Sequence, residues 1–526
     1  MSITVTFLYR ARWLRAKWQA GSFFSVSTGL ALGLSYPPYP FPFLAWMALV
    51  PLFISWRRSP SPTQALRSAY VSFLVMYAVA FYWPLCHVLP ETAFISLSGL
   101  LIVPLMMSVP FALAVPFRKA LGSTAGWFAL VCCFLLMEGA LQHGPFAFPW
   151  SLLGHTQSEA LRFNQFAAWT GVPGLTLWVL LLNLACLPLI RAATPLARFR
   201  QLIGLTLLLA LPLGAGLYLR ASLPSAHDTL NVGFVQPAIL AQHWADVMDE
   251  GRVDTLLRLS EPLLVEPWPD LLIWPETALP VRTSNTEKAL LDNRLQGWVE
   301  QNHLSLLTGA IVAEAPSLPS ARSDERGHYF NSAVLFSPGT PLRRYDKRRL
   351  VPFAERVPLL EHFPWLEALT VPAGGVAGYL PGGAPVAFQL GRHHIGVLIC
   401  FESVFGNPTR PYVGRKPDLL VVLTQDGWWG RTPGYRQHFA FNRLRAIETR
   451  TPVLQVSVTG LSGLILPDGS SVMQTRWMER TARTIAVPTY NADTFYSRHG
   501  DWLTSLAALL ISALTGLLLW VRIRAQ

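Results

Sequence analysis

Gly391 to Gly406 reads GRHHIGVLICFESVFG, and the rest of the chain is organised around this stretch. Ile395 to Ile399 is a short aliphatic run rich in β-branched residues, the pattern of a buried strand. The strand stops at Cys400, and Phe401, Glu402 and Ser403 follow where the chain must turn. A thiol there is expected to be exposed at the turn while the strand holds it rigidly, as a nucleophile requires. A cysteine in apolar company is otherwise inert core. Two other stretches weigh against the inert reading. Asp270-Leu-Leu-Ile-Trp-Pro-Glu276 is a second hydrophobic run ending in a carboxylate, and Arg344-Tyr-Asp-Lys-Arg-Arg-Leu-Val-Pro-Phe-Ala-Glu355 carries Lys347 among turn residues.

Composition limits the class. Of 526 residues, 52% are hydrophobic and only 14% charged, which excludes a wholly soluble protein. Residues 22–220 are nearly charge-free over long runs, whereas 225–500 have the mixed composition of a globular domain. Apolar segments suggest membrane spans near 22–36, 41–56, 66–88, 93–117, 124–143, 166–190, 201–220 and 502–521. The first two are short and flank Pro37, Pro38, Pro40 and Pro42, so a tight re-entrant hairpin fits them equally. Arg10, Arg12, Arg15 and Lys17 before the first segment suit an uncleaved first helix better than a signal peptide.

The basic residues orient this layout. Arg57, Arg58 and Arg67, Arg118 and Lys119, Arg191, Arg198 and Arg200, and Arg522 and Arg524 follow alternate spans. The turns on the other side are almost free of Lys and Arg, with Arg162 the exception. By the positive-inside rule both termini are expected in the cytoplasm and residues 221–501 across the membrane. The net charge of +12 is thereby explained without nucleic acid, for which no compact basic patch with interleaved aromatics is seen. Of the five cysteines, Cys86, Cys132, Cys133 and Cys186 lie in apolar runs, leaving Cys400 without a disulfide partner in the globular segment. No ligand cluster suggests a metal, and no cofactor is expected.

Trp274-Pro-Glu276, Tyr345-Asp-Lys347 with Leu350-Val-Pro-Phe-Ala-Glu355, and Cys400-Phe-Glu402 resemble the Glu-Lys-Cys triad of the nitrilase superfamily. Framed by membrane segments, they resemble in particular the apolipoprotein N-acyltransferases, over nearly the whole chain. From the residues alone, strand-like segments at 231–237, 271–274, 305–312, 332–337, 395–399 and 419–424 alternate with helical 285–302 and 433–450, an α/β domain. The resemblance sharpens this to a nitrilase-like α-β-β-α sandwich inserted before the last transmembrane helix. The expected domains are a helical membrane domain at 1–220 with about seven spans, a catalytic domain at 221–501, and a final helix with a short tail at 502–526.

The resemblance implies Glu276 as base, Lys347 beside the oxyanion and Cys400 as nucleophile. It also suggests that Glu355 and Glu402 orient Lys347, where ion pairs with Arg348, Arg349 or Arg356 are the plain alternative. Trp244, Phe401, Trp428 and Trp150 are candidate substrate-binding residues, Trp150 within an aromatic loop, Gly144 to Gly154, that also suits an interfacial belt. The glycine-rich segment from Glu361 to Gly383 reads as a lid or a plain loop, and Ala315 to Ser323 as a surface loop. The implied substrates are a phospholipid acyl donor and a diacylglyceryl-modified apolipoprotein acceptor, met at the bilayer by a monomer in a bacterial inner membrane with its catalytic domain in the periplasm. Phe401, Asp346, Ala354, Gln425, Gly427 and Trp429 depart from the family's commoner residues, which bears on the lipid pocket more than on the triad. A membrane-anchored carbon-nitrogen hydrolase (an amidase) is the competing enzyme. A transporter would need polar groups at depth, for which Glu138 is an isolated candidate.

Overall fold

A computed structural model of the chain describes residues 22–88, 90–190, 194–244, 251–281, 285–314, 328–360, 362–369, 378–385, 387–412, 416–490 and 492–524. The N-terminal basic cluster, Arg191, the loop at 315–323 and most of the glycine-rich stretch at 370–377 lie outside these residues. Among the described residues, six helices are long and apolar enough to cross a membrane: Pro62–Cys86, Ala93–Leu121, Ser123–Ala140, Ala167–Leu189, Pro195–Ala221 and Trp502–Arg524. They coincide with six of the eight expected spans. The first pair differs. Among the described residues its helices are Ser22–Gly33, Ala45–Ala48 and Val50–Arg58; the last two are too short to span, in a stretch that Pro42 and Pro51 interrupt. These pieces are nevertheless core. Leu32, Tyr36 and Trp56 are fully buried, and the Tyr36 hydroxyl donates to the Ser151 carbonyl at 2.8 Å.

Only 6% of the apolar window of Pro195–Ala221 and 11% of that of Trp502–Arg524 is buried, so both helices present apolar surface outward, as contact with lipid requires. Glu138, the isolated carboxylate at depth, is fully engaged. Its oxygens accept from the Leu153 N–H and the Thr176 hydroxyl, each at 2.6 Å, which makes it a brace between helix and loop and removes the motive for a transport pathway.

Between the last two long helices lie two six-stranded sheets. The first comprises β1 (Asp228–Gln236), β2 (Leu271–Ile273), β3 (Ser305–Glu314), β4 (His328–Ser337), β5 (Thr340–Asp346) and β12 (Thr481–Thr489), in the order β12-β1-β2-β3-β4-β5. The second runs β11-β10-β9-β8-β7-β6, from Phe388–Leu390 (β6), His393–Ile399 (β7), Leu419–Thr424 (β8), Val453–Ser457 (β9), Gly463–Ile465 (β10) and Ser471–Gln474 (β11). β1, β2 and β3 pair in parallel, as do β7, β8 and β9. Buried on both faces, these strands read as continuous apolar runs.

Alternate residues divide between the faces. Val232, Ile273, Leu307, Val397, Ile399, Val421 and Val456 meet between the sheets. Leu272, Leu306 and Val334 pack outward with Leu256, Leu295 and Val299 of the helices Gly251–Ser260 and Asn285–Gln301. Leu420, Val422 and Val453 pack with Tyr435 and Phe439 of the helix Pro433–Thr449. The result is an α-β-β-α sandwich whose parallel strands all end on one side, the edge where ligands bind in open α/β sheets. That edge faces the membrane helices.

Candidate active site

Glu276 follows β2, Cys400 follows β7, and Thr424 and Gln425 end and follow β8. Three parallel strands thus deliver a carboxylate, a thiol and a backbone donor to the same edge. Lys347 comes one residue after β5, and its backbone is pinned from both sides. Its N–H donates to the Asn331 carbonyl at 2.8 Å, and its carbonyl accepts from the Gly382 N–H at 2.9 Å. The approach is close at Gly309 of β3, where a Cβ would sit 2.6 Å from the Glu276 Cα and 2.5 Å from the Pro275 carbonyl, so only glycine lets that strand pass.

Lys347 is 1% exposed and lies between two carboxylates. Its Nζ is 2.8 Å from Glu355 Oε1 and 3.5 Å from Glu276 Oε1. Asn331 Nδ2 bridges the same two oxygens, at 2.9 Å to Glu276 and 3.0 Å to Glu355. The Val351 N–H holds Glu355 Oε2 at 2.8 Å, and the Gln425 N–H holds Glu276 Oε2 at 2.9 Å. Burial works against the Lys347 ammonium, but the nearby Glu355 and Glu276 carboxylates overcome it and raise its pKa. Burial raises Glu276 above the usual carboxylate range against the pull of Lys347. Burial, then the Glu276 charge, likewise pushes the Cys400 thiol well up, against the lowering effect of Lys347 and of a hydrogen bond with Thr424. In the resting site the proton therefore stays on sulfur, beside a carboxylate made more basic than usual.

Cys400 is 8% exposed, which corrects the expectation of a thiol standing out at a turn. It does occupy the turn, with φ of 51° in the left-handed region, at the start of a short 3-10 helix. Strain of this kind persists only where the surroundings hold it. The hold is visible beneath it: the Cys400 carbonyl lies 3.1 Å from His438 Nε2, whose Nδ1 is 2.8 Å from Asp426 Oδ1.

Glu402 also departs from expectation. It makes no hydrogen bond with Lys347. Its oxygens accept from the Tyr345 hydroxyl and from the N–H groups of Ile399, Arg348 and Arg349. It therefore ties the chain before Cys400 to the chain after Lys347. Glu355, by contrast, pairs directly with Lys347. Glu355 pairs with a lysine, and Glu402 with a tyrosine and backbone N–H groups, in place of the plain alternative of an arginine side chain.

The thiol opens into a cavity of about 590 Å³ whose lining includes Cys400, Glu276, Lys347 and Glu355. Ile95, Ile102, Val103 and Met106 of the Ala93–Leu121 helix give it an apolar wall. Trp244, Phe401, Trp428 and Trp150 all line it, so the four aromatic candidates share one space. Trp244 is fixed by donating to Thr277 Oγ1 at 2.8 Å, and Trp150 stacks on Phe401 at 6.4 Å. Phe146 and Phe148 of the aromatic loop line the cavity too, which places that loop in its wall.

Asn331 and Gln437 were missed in the sequence. Asn331 is the one carboxamide in the apolar run of β4, a signal that was readable. Gln437 is fully buried on the Pro433–Thr449 helix and uses every hydrogen-bonding position it has. Its Oε1 accepts from Trp83 Nε1 at 3.0 Å and Trp150 Nε1 at 2.9 Å. Its Nε2 donates to the carbonyls of Pro37 at 2.9 Å and Ala80 at 2.8 Å. One side chain of the sandwich thus holds two cavity tryptophans and two turns of the helical domain. Gln437→Leu, similar in volume, is expected to strand four polar groups, each worth about 1–3 kcal/mol when buried unpaired. Thermal unfolding in detergent should show a drop of several degrees or more, with saturation by lipid weakened, and an unchanged midpoint would refute this role.

Residues 28–185 match the apolipoprotein N-acyltransferase N-terminal domain, and residues 240–492 match the carbon-nitrogen hydrolase family. The chain is 31% identical over 509 residues to an apolipoprotein N-acyltransferase of Geobacter metallireducens, a likeness covering 93% of this chain and 94% of the relative. It is 29% identical over 502 residues to one of Chlorobaculum tepidum, covering 91% and 93%. Two domain matches in this order, with likeness running nearly end to end, show that the chain belongs to the apolipoprotein N-acyltransferase family.

Proposed function

We propose that this membrane acyltransferase moves a fatty acyl chain from a phospholipid, through a thioester on Cys400, to the α-amino group of the N-terminal diacylglyceryl-cysteine of a lipoprotein. The observation that carries the reading is the joining of a buried thiol, carboxylate and ammonium to an apolar cavity walled by membrane helices. An amidase with water-soluble substrates has no use for such a wall. We divide the chain into 1–220, 221–501 and 502–526 on the same basis.

Glu276 takes the Cys400 proton as sulfur attacks the ester carbonyl carbon. The carbonyl electrons move to oxygen, where Lys347 faces the charge; such a donor is typically worth about 3–4 kcal/mol. Collapse breaks the carbon–alkoxide bond, Glu276 returns the proton to the alkoxide, and a lysophospholipid leaves. The acceptor amine then attacks the thioester, Glu276 takes a proton from the nitrogen and returns it to the Cys400 sulfur as the C–S bond breaks, and the amide departs. No water or cofactor enters the balance.

Incubation with phospholipid and no acceptor should add one acyl mass, labile to hydroxylamine, to the peptide containing Cys400. Cys400→Ala should abolish the adduct and the transfer; substantial transfer by this variant would overturn the covalent route. The same adduct gives the pH dependence. Because burial raises Glu276, the base is lost as pH falls through a value above the ordinary glutamate pKa of about 4.3. The rate of adduct formation should therefore fall on an acid limb lying above that value, while the raised pKa of Lys347 keeps its charge into alkaline solution. An acid limb at or below the ordinary value would exclude Glu276 as the base.

The arginine asymmetry supports a cytoplasmic side for both termini and a periplasmic side for residues 221–501 in a bacterial inner membrane. Topology reporters fused at Pro224 and at Gln526 should report opposite sides. The same side for both would sink this orientation.

A further inference from the structure

A second cavity, of about 410 Å³, lies next to the first and shares Pro352 with it. Its character is different. Arg348, Arg349 and Arg356 line it, with Gly144, Leu350 and Phe405 among the rest, and the lining contains no Asp or Glu among the described residues. We propose that this cavity is the subsite for the phosphate of the donor lipid, so that one phospholipid spans both cavities, ester in the first and phosphodiester in the second. This rests on the reading of the donor as a phospholipid.

The sequence order makes the two cavities adjacent by construction. Lys347 faces the first, and Arg348 and Arg349, the next residues, face the second. A phospholipid has the same arrangement, since its reacting ester and its phosphate are joined by the short glycerol unit. The guanidinium fork suits phosphate oxygens, with two parallel N–H···O bonds. The nearest buried carboxylate, Glu402, does not occupy the arginine forks. Its oxygens are taken by Tyr345 and by the N–H groups of Ile399, Arg348 and Arg349, so it aims the arginine backbone instead. Arg349 is committed in part, donating to the Gln142 carbonyl at 3.0 Å and lying over the Phe405 ring at 4.4 Å. The proposal therefore gives the recognition to the Arg348 fork, with Arg349 and Arg356 contributing charge to the wall.

The site has a consequence for the reaction. The phosphate remains on the lysophospholipid after the acyl chain has moved to sulfur. The arginines then hold a product that has lost one of its two acyl anchors in the apolar cavity.

Full-length Cys400→Ala protein in neutral detergent, which cannot turn over, is titrated with a fluorescent phosphatidylglycerol and with the diacylglycerol of the same chains. The phosphatidyl lipid is expected to bind at least tenfold more tightly. Adding Arg348→Gln and Arg356→Gln should bring the two lipids within about twofold, and Arg348→Lys should retain part of the preference. Unfolding midpoints confirm that each variant is folded, and Arg483→Gln, remote and exposed, serves as the charge control. Full discrimination surviving the double substitution would overturn the subsite, as would equal binding of both lipids by the starting protein. Inorganic phosphate that displaces the fluorescent lipid at micromolar concentration would assign the cavity to free phosphate and overturn the lipid reading. The proposed acyl transfer is tested separately: a phosphate preference in binding, with no adduct on wild-type Cys400, would refute the chemistry and leave the subsite standing.

Discussion

One buried ammonium shared by two carboxylates governs this site. Bringing Lys347 out of water costs several kcal/mol, and the charge is tolerable only because Glu355 and Glu276 are fixed within 2.8 and 3.5 Å of it. The two carboxylates in turn repel each other and need Lys347 and the Asn331 amide between them. None of the four side chains is stable there alone. Each must be placed by backbone that does not yield, which is why they sit at strand ends and why Gln425, Val351 and Gly382 supply N–H groups to the same knot. The strain at Cys400 is a further demand on that scaffold.

The membrane helices complete the site as well as anchoring it. Cys400, Glu276 and Lys347 line the apolar cavity together with residues of the helix Ala93–Leu121. The junction is held by buried polar contacts as well as by packing. Glu448 accepts from the Val172 N–H at 3.1 Å while pairing with Arg445, Arg450 reaches Gln165 at 2.9 Å, and Gln437 grips four points at once. Polar contacts of this kind fix orientation more strictly than apolar packing does, since each has one satisfied geometry. The position of the cavity wall relative to the thiol is thereby set.

Much of this was legible in the residues. Glu276 and Cys400 stood out because each follows a short apolar run, and a polar group at such a position has few structural excuses. Six spans were legible because a helix in lipid must be apolar along its full length. The expected span at 41–56 misled because apolar content alone does not distinguish a span from short helices interrupted by proline. β5, β6, β9, β10 and β11 escaped notice, and so did β12, whose arginines and Pro488 disguise it. It lies at the edge of its sheet, where a proline costs no ladder bond on the open side. The partners of Glu402 were not legible at all: a carboxylate that binds backbone N–H groups leaves no trace in the identity of the residues it binds.

β12 has a consequence of another kind. It pairs along its whole length with β1, from Asp228↔Thr489 to Gln236↔Thr481, so the first sheet is completed by the final strand the ribosome delivers. Until then β1 carries an open edge on the side away from β2. Contacts so distant in sequence are slow to form and leave sticky intermediates. The pairing also brings the two ends of the sandwich together, directly beside the helices Pro195–Ala221 and Trp502–Arg524 that carry the chain in and out. The last helix therefore enters the bilayer next to a nascent domain that cannot close without the strand just ahead of it, and membrane insertion and sheet closure become a single late event.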